Sequence, residues 1–128
     1  MKIIDKNVLI TGGASGIGKI MGKIALDKGA KSLIIWDVNQ ASLDATALEF
    51  NSRERVHTYK VDITNSDLVA TTYRRVKDEC GNVDILINCA GIVRGNNTFD
   101  QQTIQDIRLT FEVNTIAPMV ITQLILPD

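Results

Sequence analysis

The 128 residues contain only two cysteines, Cys80 and Cys89, and one histidine, His57. That is too few soft ligands for a zinc site, and the cysteines read as free thiols in a reducing compartment. Neither sign of charge dominates: 14 Lys and Arg stand against 15 Asp and Glu, a formal net charge of -1. No sequence-wide basic field is therefore present to hold nucleic acid or an acidic membrane surface. No apolar run approaches the roughly 20 residues that span a bilayer. The most apolar stretch, Ile116 to Leu126, is interrupted by Pro118 and Gln123. Met1 to Lys6 runs directly into a strand-like segment, leaving no room for a signal peptide. Repeats and low-complexity tracts are lacking as well. The expectation is a soluble, cytoplasmic chain with neither nucleic acid nor membrane among its partners.

What is present is ordinary globular composition, 45% hydrophobic and 23% charged, enough for one domain with a real core. Apolar runs alternate with helical periodicity four times. Asn7 to Thr11 is a buried-strand pattern ended by Gly12 and Gly13. Ile17, Ile20, Met21, Ile24 and Ala25 then recur at helical spacing, with Lys19, Lys23, Asp27 and Lys28 facing away and Gly29 as C-cap. Ser32 to Trp36 is a second strand; Leu43, Ala47 and Phe50 mark a second helix, capped by Asn39. Val56 to Val61 is a more mixed strand suited to a sheet edge, and Asp67 to Cys80 a helix behind Asn65 and Ser66. Val83 to Asn88 is a fourth strand, and a long helix is expected from about Thr103 to Leu126. Strands separated by such helices imply right-handed crossovers and a parallel sheet. The expected fold is α/β, a Rossmann-type doubly wound sheet of strand order 3-2-1-4, one dinucleotide-binding domain over 1–128 that stops before a fifth strand.

The first strand-to-helix turn reads Thr11-Gly12-Gly13-Ala14-Ser15-Gly16-Ile17-Gly18. Three tasks there require glycine: a tight turn, close approach of backbone to a pyrophosphate, and close helix-to-strand packing. The helix that follows opens with unpaired N–H groups and about half a positive charge, which suits a phosphate. Gly12, Ala14, Ser15, Gly16, Ile17 and Gly18 are accordingly candidate cofactor-binding residues; the plain alternative is a crowded turn. Asp37 closes the second strand where an acidic side chain would accept hydrogen bonds from an adenosine ribose, or would serve as a helix N-cap. A carboxylate there repels a 2′-phosphate, and neither Val38 nor Asn39 offers a compensating cation. NAD is expected over NADP by about 1–3 kcal/mol, the worth of a charge-assisted hydrogen bond.

With these residues in view, the sequence resembles the classical short-chain dehydrogenases/reductases. Their Thr-Gly-x-x-x-Gly-x-Gly turn is met by Thr11, Gly12, Gly16 and Gly18. Their Asp near the adenine after the third strand corresponds to Asp62, followed by Ile63. Their Asn-Asn-Ala-Gly segment after the fourth strand is Asn88-Cys89-Ala90-Gly91, with Cys89 in place of the second Asn. Their catalytic-helix Asn corresponds to Asn114 in Phe111-Glu112-Val113-Asn114. The segments 33–39, 56–62 and 110–127 look most like the retinol and 17-beta-hydroxysteroid dehydrogenase-like branch. The resemblance implies NAD(P)-dependent hydride transfer between nicotinamide and an alcohol or carbonyl substrate. It places Asp62, Ile63, Asn88, Ala90 and Gly91 with the cofactor and Asn114 in the proton relay.

Each residue also has a physical reading. The Asn88 amide could tie neighbouring strand ends together, and Gly91 lets backbone run beside a cofactor; an ordinary turn is the alternative for both. Pro118 has no N–H, so the Asn114 carbonyl loses its helical partner and becomes free to bind, unless the proline merely kinks the helix. The family's chemistry further needs a Ser and a Tyr-x-x-x-Lys pair downstream of the Asn. No Ser, Tyr or Lys follows Asn114, so these 128 residues alone are expected to turn over nothing. Tyr73 and Lys77 have the right spacing but lie on the helix before the fourth strand. A non-catalytic nucleotide-binding or interaction module is the alternative reading. The apolar Ile116, Val120, Ile121, Leu124 and Ile125, with an open edge on the fourth strand, suggest self-association.

Overall fold

The computed structural model describes residues 2–51, 54–94 and 98–127. Its elements run β1 (Asn7–Thr11), α1 (Gly16–Asp27), β2 (Ser32–Asp37), α2 (Gln40–Phe50), β3 (Val56–Lys60), α3 (Ser66–Cys80) and β4 (Ile85–Asn88). A short 3₁₀ turn, Phe99–Gln101, precedes α4 (Ile104–Phe111); a π-turn, Glu112–Ile116, leads without a break into α5 (Ala117–Ile125). The four strands are parallel in the order β3-β2-β1-β4, as expected.

Alternation along the strands divides the core in two. Leu9, Ile34 and Trp36 face α3 and α5, packing with Val69, Val76, Ile121 and Ile125. Val8, Ile10, Leu33 and Ile35 face the other way, with Ala25 and Leu26 of α1 and Leu43 of α2. Local chain chemistry sets the helix ends. Asn39 and Asn65 accept hydrogen bonds from Ser42 N–H and Leu68 N–H, both at 3.0 Å, and Gly29 takes the left-handed conformation just beyond α1, with φ +81°.

Two expectations about helix faces need correction. In α1 the residues turned toward the protein are Gly18, Gly22, Ala25 and Leu26, whereas Ile17, Ile20 and Ile24 are 71%, 61% and 45% exposed. Small residues win the inner face because the helix lies almost against the β1 backbone: a Cβ on Gly18 would collide with the Gly12 carbonyl. In α5, Ile121 and Ile125 are buried against the sheet instead of forming an outer stripe. The exposed apolar groups on this part of the chain are Phe111, Ile116, Met119 and Leu126. The β1-to-β4 pairing leaves the far edge of β4 unpaired among the described residues.

At the opposite end of the sheet, Asp84 staples the start of β1 to the entry of β4. Its carboxylate accepts from Lys6 Nζ at 2.8 Å and from the Asn7 N–H at 2.9 Å, and these two donors hold it below the ordinary aspartate value of 3.8. A carboxyl whose folded value lies below its unfolded one stabilises the fold above about pH 4, and that stabilisation is lost as pH falls through the folded value. Asp84→Asn is therefore expected to cost less than about 1 kcal/mol at pH 7, since the pair is largely exposed. The difference from wild type should shrink as pH falls below the ordinary aspartate value and through the folded one, which urea midpoints measured at pH 7 and across the acid range would check.

Candidate functional site

Parallel pairing brings the carboxyl ends of the strands to one edge of the sheet. Thr11 is level with Trp36 on one side and Asn88 on the other, and Asp37 is level with Lys60. A cleft of about 520 Å³ opens there. Gly12, Ser15, Gly16, Ile17, Gly18, Asp37, Asp62, Ile63, Ala90 and Gly91 all line it, so residues spread over 80 positions of sequence meet at one site.

The turn between β1 and α1 is held from three directions. The Gly12 N–H donates to the Trp36 carbonyl at 2.7 Å. Gly12 has φ +65°, and a Cβ on it would sit 2.8 Å from the Ala90 Cα, so only glycine lets β4's exit pass this close. The Ala14 N–H donates to Asp37 Oδ2 at 3.2 Å. Gly16 differs: with φ +50° it has no neighbouring heavy atom within 4 Å of where a Cβ would stand. Its backbone is bare toward the cleft. Helix α1 is also the one helix of α1 to α4 whose N-cap residue makes no side-chain capping bond, and it has no acidic residue in its first turn. Its N-terminal partial positive charge is left without a side-chain acceptor, which is what a phosphate requires.

On the other bank, Asp37 Oδ1 accepts from the Asn39 N–H at 3.1 Å, while Asn39 itself caps α2. The carboxylate is thus fixed by two backbone donors and does not act as the cap. Asp62 forms a local turn, accepting from the Thr64 N–H at 3.0 Å and the Thr64 hydroxyl at 2.7 Å. Val38, Val61, Ile92 and Val113 provide apolar wall between the two carboxylates and the glycine turn. An elongated ligand with a phosphate at one end and an adenosine at the other fits this distribution of donors, acceptors and apolar surface.

Three expected site residues lie off the cleft wall. Ala14 is buried, its N–H committed to Asp37. Asn88 reaches away from the strand ends to α5, donating from Nδ2 to Thr122 Oγ1 at 3.1 Å. The task of joining strand ends belongs to Thr11, whose hydroxyl accepts from the Cys89 and Ala90 N–H groups, both at 3.2 Å. Asn114 is exposed and adjoins the wall without lining it. Its side-chain amide accepts from the Ile92 N–H and donates to the Ile92 carbonyl, each at 2.8 Å, clamping the segment that carries Gly91. The plain proline kink, the alternative reading of Pro118, does not form; a π-turn stands there, in which the Ala117 N–H reaches the Glu112 carbonyl. Pro118 falls in the first turn of α5, where its missing N–H is tolerated. Tyr73 is 3% exposed, buried in the core cluster, and neither it nor Lys77 lines the cleft, so the Tyr73–Lys77 spacing belongs to helix packing.

The cleft residues that sequence reasoning passed over are Trp36, Val38, Val61, Cys89, Ile92 and Val113. All six adjoin an anticipated residue in sequence, and the parallel 3-2-1-4 order already placed every strand end at one edge.

Compared with known proteins, residues 6–128 match the family described as short chain dehydrogenase. The chain belongs to the short-chain dehydrogenase family. It is 38% identical over 121 residues to human estradiol 17-beta-dehydrogenase 11, covering 94% of this chain and 40% of that protein. To human 17-beta-hydroxysteroid dehydrogenase 13 it is 34% identical over 122 residues, again 94% and 40% of the two chains. Among solved structures, a short-chain dehydrogenase/reductase, glucose/ribitol dehydrogenase, from Brucella melitensis superposes with a TM-score of 0.90 at 26% identity, covering 99% of this chain and 53% of the other. The chain thus spans about 40% of the length of these curated relatives, and its likeness to the 17-beta-hydroxysteroid branch accords with the resemblance read in 33–39, 56–62 and 110–127. Short-chain dehydrogenases are oxidoreductases that use NAD(P).

Proposed function

We propose that this chain carries the NAD-binding portion of a short-chain dehydrogenase. The observation that supports it most is the convergence on one cleft of an uncapped helix N-terminus behind a bare Gly16 with the Asp37 carboxylate. The Ser15-to-Gly18 backbone would hold the pyrophosphate. Asp37 would accept from the adenosine ribose hydroxyls with the lone pairs that Ala14 and Asn39 leave unused, and Ile63, Ala90 and Val113 would cover the adenine. Asn114 keeps the Gly91–Ile92 wall in place. Nicotinamide, when bound, supplies hydride exchange with an alcohol or carbonyl carbon. Within the 128 residues no Ser or Tyr-x-x-x-Lys follows Asn114, so the proton-transfer half of that chemistry has no donor here and this chain alone is inactive.

Asp37 also sets the nucleotide preference. A 2′-phosphate would stand against its carboxylate with no cation at 38 or 39, so NAD is favoured over NADP by about 1–3 kcal/mol, roughly 5- to 150-fold. Calorimetric titration with NAD and NADP is the test. Saturable NAD binding, weaker NADP binding and loss of that difference in Asp37→Ala are expected; a chain that binds neither nucleotide overturns the reading.

The exposed apolar Phe111, Ile116, Met119 and Leu126, together with the open edge of β4, favour self-association as a second property of the chain. The unpaired thiols of Cys80 and Cys89 suit a reducing compartment such as the cytoplasm.

A further inference from the structure

Thr46 lies in the middle of α2, is fully buried, and is not among the residues that line the cleft. A buried threonine within a helix ordinarily returns its hydroxyl proton to the carbonyl one turn back. Here Thr46 Oγ1 donates instead across the domain to the Ala14 carbonyl at 3.0 Å, 32 residues away. That carbonyl shares a peptide plane with the Ser15 N–H. The peptide bonds are trans among the described residues, so the N–H points opposite to the carbonyl. A carbonyl drawn inward toward Thr46 therefore turns the Ser15 N–H outward. Ser15 is exposed and on the cleft wall, and its N–H has no protein partner among the described residues.

We propose that Thr46 is a positioning residue for the phosphate cradle: from inside the protein it aims the Ser15 N–H at the ligand's pyrophosphate. The inference rests on the dinucleotide reading of the cleft. The neighbouring peptide is fixed independently, because the Ala14 N–H is held by Asp37 at 3.2 Å. Of the two peptides flanking Ala14, Asp37 governs the one before and Thr46 the one after. Helix α2 is held to the sheet by the fully buried Leu43 and meets α1 at the exposed Lys19–Glu49 pair, 2.6 Å apart.

Thr46→Val keeps the shape and removes the donor. It is expected to weaken NAD binding about tenfold, while adenosine, which relies on Asp37 and the apolar wall, binds as before. Thr46→Ser restores the hydroxyl and NAD binding to within about twofold of wild type. In the absence of any nucleotide, the Ser15 amide resonance and its hydrogen-exchange rate should shift in Thr46→Val and return in Thr46→Ser. Should the valine variant fail to fold, Thr46→Cys, a similar volume with a weak donor, takes its place in each measurement. An unmoved Ser15 amide, or equal losses of NAD and adenosine affinity, would overturn the role assigned to Thr46. If the wild-type chain bound no NAD at all, the dinucleotide reading would fail, and with it the ligand assigned here. The nucleotide-free amide comparison would still decide whether Thr46 orients that peptide.

Discussion

Replacing Gly18 with alanine should lower stability by about 1–3 kcal/mol, the usual cost of forcing atoms into a filled site, and should abolish nucleotide binding together with it. A helical glycine exchanged for alanine ordinarily gains roughly 1 kcal/mol, so the sign itself is diagnostic. The loss arises because the new Cβ would collide with the Gly12 carbonyl and crowd the Gly13 Cα, both backbone atoms that cannot rotate away. Relief requires α1 to lift from β1, and that movement opens the turn that faces the cleft. Gly22 supplies the control. It is buried in the same helix, one turn on, but a Cβ there would meet the flexible end of Leu33 at 3.1 Å, so Gly22→Ala should change stability by less than about 1 kcal/mol. Urea unfolding midpoints of the two variants, beside NAD titrations, separate the cases. Equal stability of Gly18→Ala and Gly22→Ala would mean that the close approach of α1 to β1 does not govern this fold.

That same close approach explains what could and could not be read from the sequence. Strand order, the caps at Asn39 and Asn65 and the left-handed Gly29 were legible because alternation, capping and positive φ are written in a few consecutive residues. The inner face of α1 was not, since hydrophobic spacing selects Ile17, Ile20 and Ile24, whereas contact with the β1 backbone selects Gly18 and Gly22. The glycine turn, Asp37, Asp62 and the Ala90–Gly91 segment reached the cleft as expected. Each lies at the carboxyl end of a strand or just beyond it, and a parallel sheet gathers those ends. The hydrogen-bond partner of Asn88 was illegible for the opposite reason: Thr122 lies 34 residues downstream on a helix whose rotation no local pattern fixes. Pro118 marks where that helix departs from regular geometry, and the departure is a π-turn rather than a plain kink. The π-turn before it adds a residue to one turn, so Ile116 swings outward and Ala117 takes the inner position.

That rotation makes Ile121 and Met119, two residues apart, opposite in consequence. Ile121 is fully buried between β-sheet and α3, so Ile121→Ala should cost about 2–5 kcal/mol. A domain of this kind has only about 5–15 kcal/mol to lose, and the variant is expected to be largely unfolded near its wild-type melting temperature. Met119 is 69% exposed, and Met119→Lys should leave stability within about 0.5 kcal/mol. Its effect should fall on association instead. A lysine set among Phe111, Ile116 and Leu126 would have to be buried in any contact made through that face, and an unpaired buried ammonium is costly. Sedimentation velocity at tens of micromolar should therefore show an associated wild type and a monomeric Met119→Lys with an unchanged melting curve. A monomeric wild type would remove self-association from the account of this chain. An associated Met119→Lys would shift the contact to the open edge of β4, where backbone hydrogen bonds rather than apolar side chains would hold the copies together.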